Sequence, residues 1–100
     1  MPQLFRIGRL VVYFWSNENG EPVHVHVSEG TPSEHATKFW LTSTGGVEMA
    51  HNGSCLSKRE LARVGSVIQA NHEIVIERWA QRFGYVRYVD TNAPGSKIVP

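Results

Sequence analysis

The run Val23-His24-Val25-His26-Val27 sets two of the chain's five histidines two residues apart. In a strand, alternate side chains project the same way about 6.6 Å apart at the Cα, so both imidazoles would share a face. Three kinds of chemistry fit that spacing. Imidazoles exchange protons near neutral pH, so one can act as base and the other as acid in metal-independent cleavage of RNA, with the ribose hydroxyl as nucleophile. Such a site needs a cation near the phosphate, which Arg9 or Lys38 can supply. It also needs a surface on which an unpaired base stacks, for which Tyr13, Trp15 and Trp40 are the candidates. Alternatively, His24 and His26 supply two ligands of a zinc or iron ion, the third coming from Glu18, Glu21, His35 or His51. Thirdly, the face is an interaction surface buried by a partner chain. The plainest reading is a solvated pair on the outside of a strand, one ring bonded to nearby backbone or to the Glu18–Glu21 loop.

Which of these holds depends on the elements around the pair. Arg6–Trp15 is rich in β-branched and aromatic residues and reads as one strand, with Leu10, Val12 and Phe14 on one face and Arg9, Val11, Tyr13 and Trp15 on the other. The polar stretch Ser16–Pro22 is a loop whose acidic tip reads as solvated. Val23–Ser28 has strict period two and forms the second half of a hairpin. His35–Leu41 and Gly46–His51 read as two more strands. Ser57 and Glu60 then have the spacing of a capping box, in which each side chain satisfies an amide at a helix start. Leu61, Val64, Ile68, Val75, Trp79 and Phe83 fall on one face of the helix that follows, which ends at Gly84. The span Lys58–Phe83 is long for a small domain, so a kink or break near Gln69–Glu73 is expected.

The architecture predicted is α+β: an antiparallel sheet of about four strands, beginning with a β-hairpin, with one face packed on one long C-terminal helix. Residues 1–84 form the single domain, and 85–100 a short strand and a loose tail. The valines of the second strand then look at the helix, while His24 and His26 look away from it, beside Arg9, Tyr13 or Trp15. Trp40 faces out with Lys38, Trp79 continues the core stripe, and His72 is a half-buried structural histidine away from the pair.

Composition narrows the function classes. A chain of 100 residues with 41% hydrophobic content holds one core. Its formal charge of +1 argues against a general polyanion binder. Cys55 is the single cysteine, which excludes an intramolecular disulfide and Cys-rich zinc clusters. No segment looks like a signal peptide or approaches the roughly 20 apolar residues of a membrane span, so a soluble, cytoplasmic protein is expected. Gly-rich phosphate loops and a Ser-His-Asp arrangement are missing from the sequence, whose only aspartate is Asp90.

"RIGRLVVYFWSNENGEPVHVHV", followed by "ATKFWL" and "LSKREL", resembles a family of small bacterial proteins classed as a domain of unknown function. Its hallmark is an Arg-Ile start, an aromatic pair closing a strand, an acidic loop and Pro-x-His-x-His-Val. The resemblance covers roughly residues 2–84. It marks Arg6, Glu18, Pro22, His24, His26, Lys38, Trp40 and Trp79 as positions of interest. It also implies a component of a two-protein, toxin–antitoxin-like module that binds a cognate small protein encoded nearby, with RNA-directed activity at the His-x-His face as an extension. That reading requires no cofactor; the alternative is a metal-binding domain or metal-dependent enzyme holding zinc or iron through His24 and His26. Either is compatible with a homo-oligomer.

Overall fold

Gly8 turns the chain where one continuous strand was expected. Its φ of 61° lies in the left-handed region that glycine enters without steric cost, and with Arg9 it closes a two-residue turn in which Ile7 faces Leu10. The segment is therefore a hairpin of two strands, β1 (Gln3–Ile7) and β2 (Leu10–Tyr13). β3 (His24–Glu29), β4 (Thr37–Leu41) and β5 (Val47–Asn52) follow, and each strand pairs antiparallel with its sequence neighbour. The sheet thus has five strands rather than about four. These elements come from a computed structural model that describes residues 3–18 and 20–91; the expected loose tail lies, from residue 92 on, outside the described residues.

The expected long helix is two helices, α1 (Lys58–Ala70) and α2 (His72–Phe83), with the break at Asn71, inside the Gln69–Glu73 stretch where a kink or break is expected. The Asn71 side-chain amide donates to the Val67 carbonyl at 2.8 Å, a local bond that competes with helix continuation. The capping box forms as the spacing requires: Ser57 Oγ accepts from the Glu60 amide, and the Glu60 carboxylate accepts from the Ser57 amide. Gly84, at φ 79°, closes α2 with its amide on the Ala80 carbonyl.

The two helices roof one face of the sheet. Leu10, Val12 and Phe14, the three valines 23, 25 and 27, and Phe39 and Leu41 form one buried cluster with Val64 and Ile68 of α1 and Val75 and Trp79 of α2. Each such side chain contributes on the order of 1.5–3 kcal/mol of transfer free energy. The alternation of faces is as the sequence suggests, but the second face is not open. Val11, Tyr13 and Ala36 form a smaller buried cluster there, with Trp15 against it. The segment after β3 covers it: the Tyr13 hydroxyl accepts from the Ser33 amide and donates to the Ser33 carbonyl, both at 3.0 Å.

Among the described residues after Gly84 there is no strand, but the segment stays fastened. The Val23 amide donates to the Arg87 carbonyl at 2.8 Å, Val86 and Tyr88 pack on the main core, and a 3-10 turn follows at Val89–Thr91. Asp90 accepts from the amide and hydroxyl of Ser43. No helix among the described residues is long and apolar enough to cross a membrane.

Candidate metal centre

β3 brings His24 and His26 to the same face, and the loop before it folds back to meet them. Glu18, expected at a solvated loop tip, turns inward and its side chain is only 12% exposed. Its Oε2 lies 2.7 Å from Nε2 of His26 and 3.0 Å from Nε2 of His24, while Oε1 accepts from the Trp15 amide at 2.9 Å. The two imidazoles stand 5.0 Å apart, nearly perpendicular. The rings are not solvated: His24 is wholly buried and His26 is 9% exposed.

Trp79 explains part of that burial. The last residues paired between β2 and β3 are Tyr13 and His26, so His24 lies beyond the end of that ladder. No β2 residue is paired opposite it, and the Trp79 ring of α2 packs edge-on against it at 5.0 Å. Trp40, opposite His24 on β4, packs at 5.5 Å, also edge-on. The proposed separation of the pair from the helices therefore holds for His26 and fails for His24.

The charge state of the cluster follows from its contacts. Burial pushes the Glu18 carboxyl up, but the pull of the two imidazoles and the Trp15 amide outweighs it and leaves the group at about 2. A carboxylate is thus held ionised among nitrogen donors. His24 Nδ1 lies 2.9 Å from the Pro22 carbonyl, which can only accept, so Nδ1 carries the proton. Nε2 is the ring nitrogen that faces Glu18. Although 3.0 Å from the carboxylate, this nitrogen makes no hydrogen bond; it and Trp79 Nε1 are the buried side-chain atoms so left among the described residues.

Glu18, His24 and His26 together offer three donor atoms within 4.8 Å of one another. Zinc bonds of about 2.0–2.2 Å place tetrahedral donors about 3.3 Å apart, so the two contacts of Glu18, at 2.7 and 3.0 Å, need to widen by about 0.6 and 0.3 Å. The bond from His24 Nδ1 to a backbone carbonyl is the outer support that metal-bound imidazoles ordinarily have. The cluster overturns the expectation that no cofactor is required, because the third donor that spacing alone did not supply stands beside both histidines.

Other candidate residues divide between the rim of this site and places away from it. Lys38, opposite His26, binds Glu21 at 3.0 Å and lies 4.2 Å over the Trp40 ring. Glu21 Oε1 is also 4.0 Å from His24 Nδ1. Trp15 lies 6.5 Å from His26 and stays partly accessible. Tyr13 sits 5.5 Å from the His26 ring but is fully buried, so it offers no stacking surface. Arg9 lies at the other end of the β2–β3 ladder, paired with Glu29 and with Glu60 of α1. Arg6 donates to the Gly30 carbonyl at 2.9 Å. His35 and His51 are exposed and outside the cluster, and His72 bonds the Thr42 carbonyl at 2.8 Å. The expected bond of one ring to nearby backbone is the one from His24 to the Pro22 carbonyl, whereas the contact of Trp79 with His24 was not foreseen, the carry-over of Trp79 being its only sequence signal.

Fold and site together define a small α+β domain with a buried carboxylate–bis-imidazole cluster. The profile of the family described as Domain of unknown function (DUF4160) matches residues 10–80, and the chain belongs to that family. No curated protein and no solved structure matches it.

Proposed function

We propose that the protein is a metal-binding domain in which Glu18, His24 and His26 hold a divalent first-row ion, zinc or iron. The observation that carries this reading is His24 Nε2: a wholly buried nitrogen, its partner nitrogen committed to Pro22, set 3.0 Å from an ionised carboxylate without a hydrogen bond between them. Two imidazole nitrogens and an ionised carboxylate converging in a dry site are the donor set a cation takes up, and such an ion would give the buried nitrogen the partner it lacks. Two imidazoles and one carboxylate suit zinc or ferrous iron, and three protein donors leave at least one coordination position for solvent or another ligand.

Proton-transfer chemistry at the pair is less well supported. It asks for accessible imidazoles and a free cation beside them, whereas His24 is enclosed, Arg9 is engaged elsewhere, and Lys38, opposite His26, is paired with Glu21. The toxin–antitoxin-like reading, with a cognate small protein or RNA as partner, draws on the family resemblance and on no described residue of this site.

Elemental analysis of protein purified without an affinity tag tests the metal reading. We expect about one zinc or iron per chain, and at least a tenfold loss of bound metal in Glu18→Gln and in His26→Ala. Protein that takes up neither ion after reconstitution with zinc or ferrous iron overturns it.

A further inference from the structure

Among its described residues the loop that delivers Glu18 holds no helix or strand, yet it is fastened on both sides of Glu18 by the chain's C-terminal part. Before it, the Arg82 guanidinium of α2 donates to the Ser16 carbonyl at 2.8 Å. After it, the Tyr85 hydroxyl accepts from the Gly20 amide and donates to the Glu21 carbonyl, both at 2.7 Å. The Arg87 guanidinium donates to the Gly20 carbonyl, and the Arg87 carbonyl accepts from the Val23 amide at the entry to β3. One phenol oxygen thus fixes two consecutive residues of the loop, in a geometry that only a group both donating and accepting can satisfy.

Building on the metal reading, we infer that Tyr85 is a positioning residue of the Glu18–His24–His26 site, with Arg87 as its support. The inference follows from where the ties fall. His24 and His26 are set by strand pairing with β4, which fixes their Cα atoms independently of the loop. Glu18 has no such ladder; within the site its hydrogen bonds are to the Trp15 amide and the His26 imidazole, with His24 Nε2 3.0 Å away. The position of the one anionic donor therefore depends on a backbone that Tyr85 holds two and three residues downstream. Without the phenol oxygen, the Gly20 amide and Glu21 carbonyl lose a shared partner, and the loop samples positions in which Glu18 is too far from the imidazoles to share an ion with them. Misplacement of a ligand by the loss of such outer support ordinarily costs 10- to 100-fold in metal affinity, as an order of magnitude. Both Tyr85 and Arg87 lie C-terminal to the segment that the family profile matches.

The test compares Tyr85→Phe, Arg87→Ala and Ser43→Ala with the unsubstituted chain. Ser43→Ala weakens a different tie of the same C-terminal segment, removing the hydroxyl bond to Asp90 and leaving the amide bond. Zinc affinity is read by competition with a chromophoric chelator, the ligand field by the visible spectrum of the cobalt-loaded proteins, and apo-protein stability by thermal unfolding. We expect Tyr85→Phe to weaken zinc binding roughly tenfold or more and to change the cobalt spectrum. Arg87→Ala should act in the same direction to a smaller extent, and Ser43→Ala should leave both readouts unchanged. Normal zinc affinity and an unaltered cobalt spectrum in both Tyr85→Phe and Arg87→Ala overturn this inference while leaving the metal reading intact. An equal loss in Ser43→Ala also overturns it, since the effect would then be general loosening of the segment. If the unsubstituted protein binds neither zinc nor cobalt, both readings fall.

Discussion

The two faces of β3 are built on opposite terms. Val23, Val25 and Val27 enter a layer of hydrocarbon shared with α1 and α2, where volume decides what fits. One residue along, His24, His26 and Ser28 are as deeply buried, but each is met by a directed polar contact from a loop. The apolar face tolerates any well-shaped neighbour, whereas the polar face is stable only while every donor finds its acceptor. Buried on both sides, the strand belongs to the core, although only one of its faces is hydrophobic.

The strongest way to break this contrast is Trp79→Ala, because that side chain joins the two faces, touching Phe14 and Phe83 on one side and His24 on the other. The expected cost is about 4 kcal/mol of stability, measured by urea unfolding, accompanied by weaker metal binding. A variant that loses stability and keeps its metal affinity would show that the faces act independently. Next comes the charge at Glu18, whose carboxyl is held at about 2 against an ordinary 4.5. A depressed carboxyl stabilises the fold fully above about pH 4.5, and that contribution is lost as pH falls through about 2. It amounts to something on the order of 3 kcal/mol. In urea titrations of metal-free protein, the stability gap between the natural chain and Glu18→Gln should close across that interval; a gap constant with pH would contradict the assignment. The smallest effect is on Ser28, whose hydroxyl donates to the Thr31 carbonyl at 2.7 Å. Ser28→Ala should cost about 1 kcal/mol, and a neutral result would sharpen the contrast by confining the directional demand to the histidines.

Periodicity made much of this legible. Strict alternation from Val23 to Ser28 and from Leu10 to Trp15 assigned the side chains to their faces, save that His24 also meets Trp79 of α2, and the Ser57–Glu60 spacing located the start of α1. One punctuation mark went astray. Gly8 lay hidden in an apolar run that read as one strand, whereas the helix break at Asn71 falls inside the Gln69–Glu73 stretch where one was expected. The site itself was half legible. His24 and His26 announced themselves, but Glu18 was one of four candidate third donors, because its inward turn follows no period. That turn is set by Tyr85 and Arg87, 64 to 67 residues further along the chain than the groups they bind. For the same reason the second face looked free: alternation says which way a side chain points, and nothing about which loop comes to cover it.

All three tryptophans of the chain crowd one imidazole pair: Trp15 beside His26, Trp40 and Trp79 beside His24. The protein's ultraviolet emission therefore originates almost entirely next to that cluster. Proton or ion exchange there alters the light the native chain gives off, with no dye or label attached.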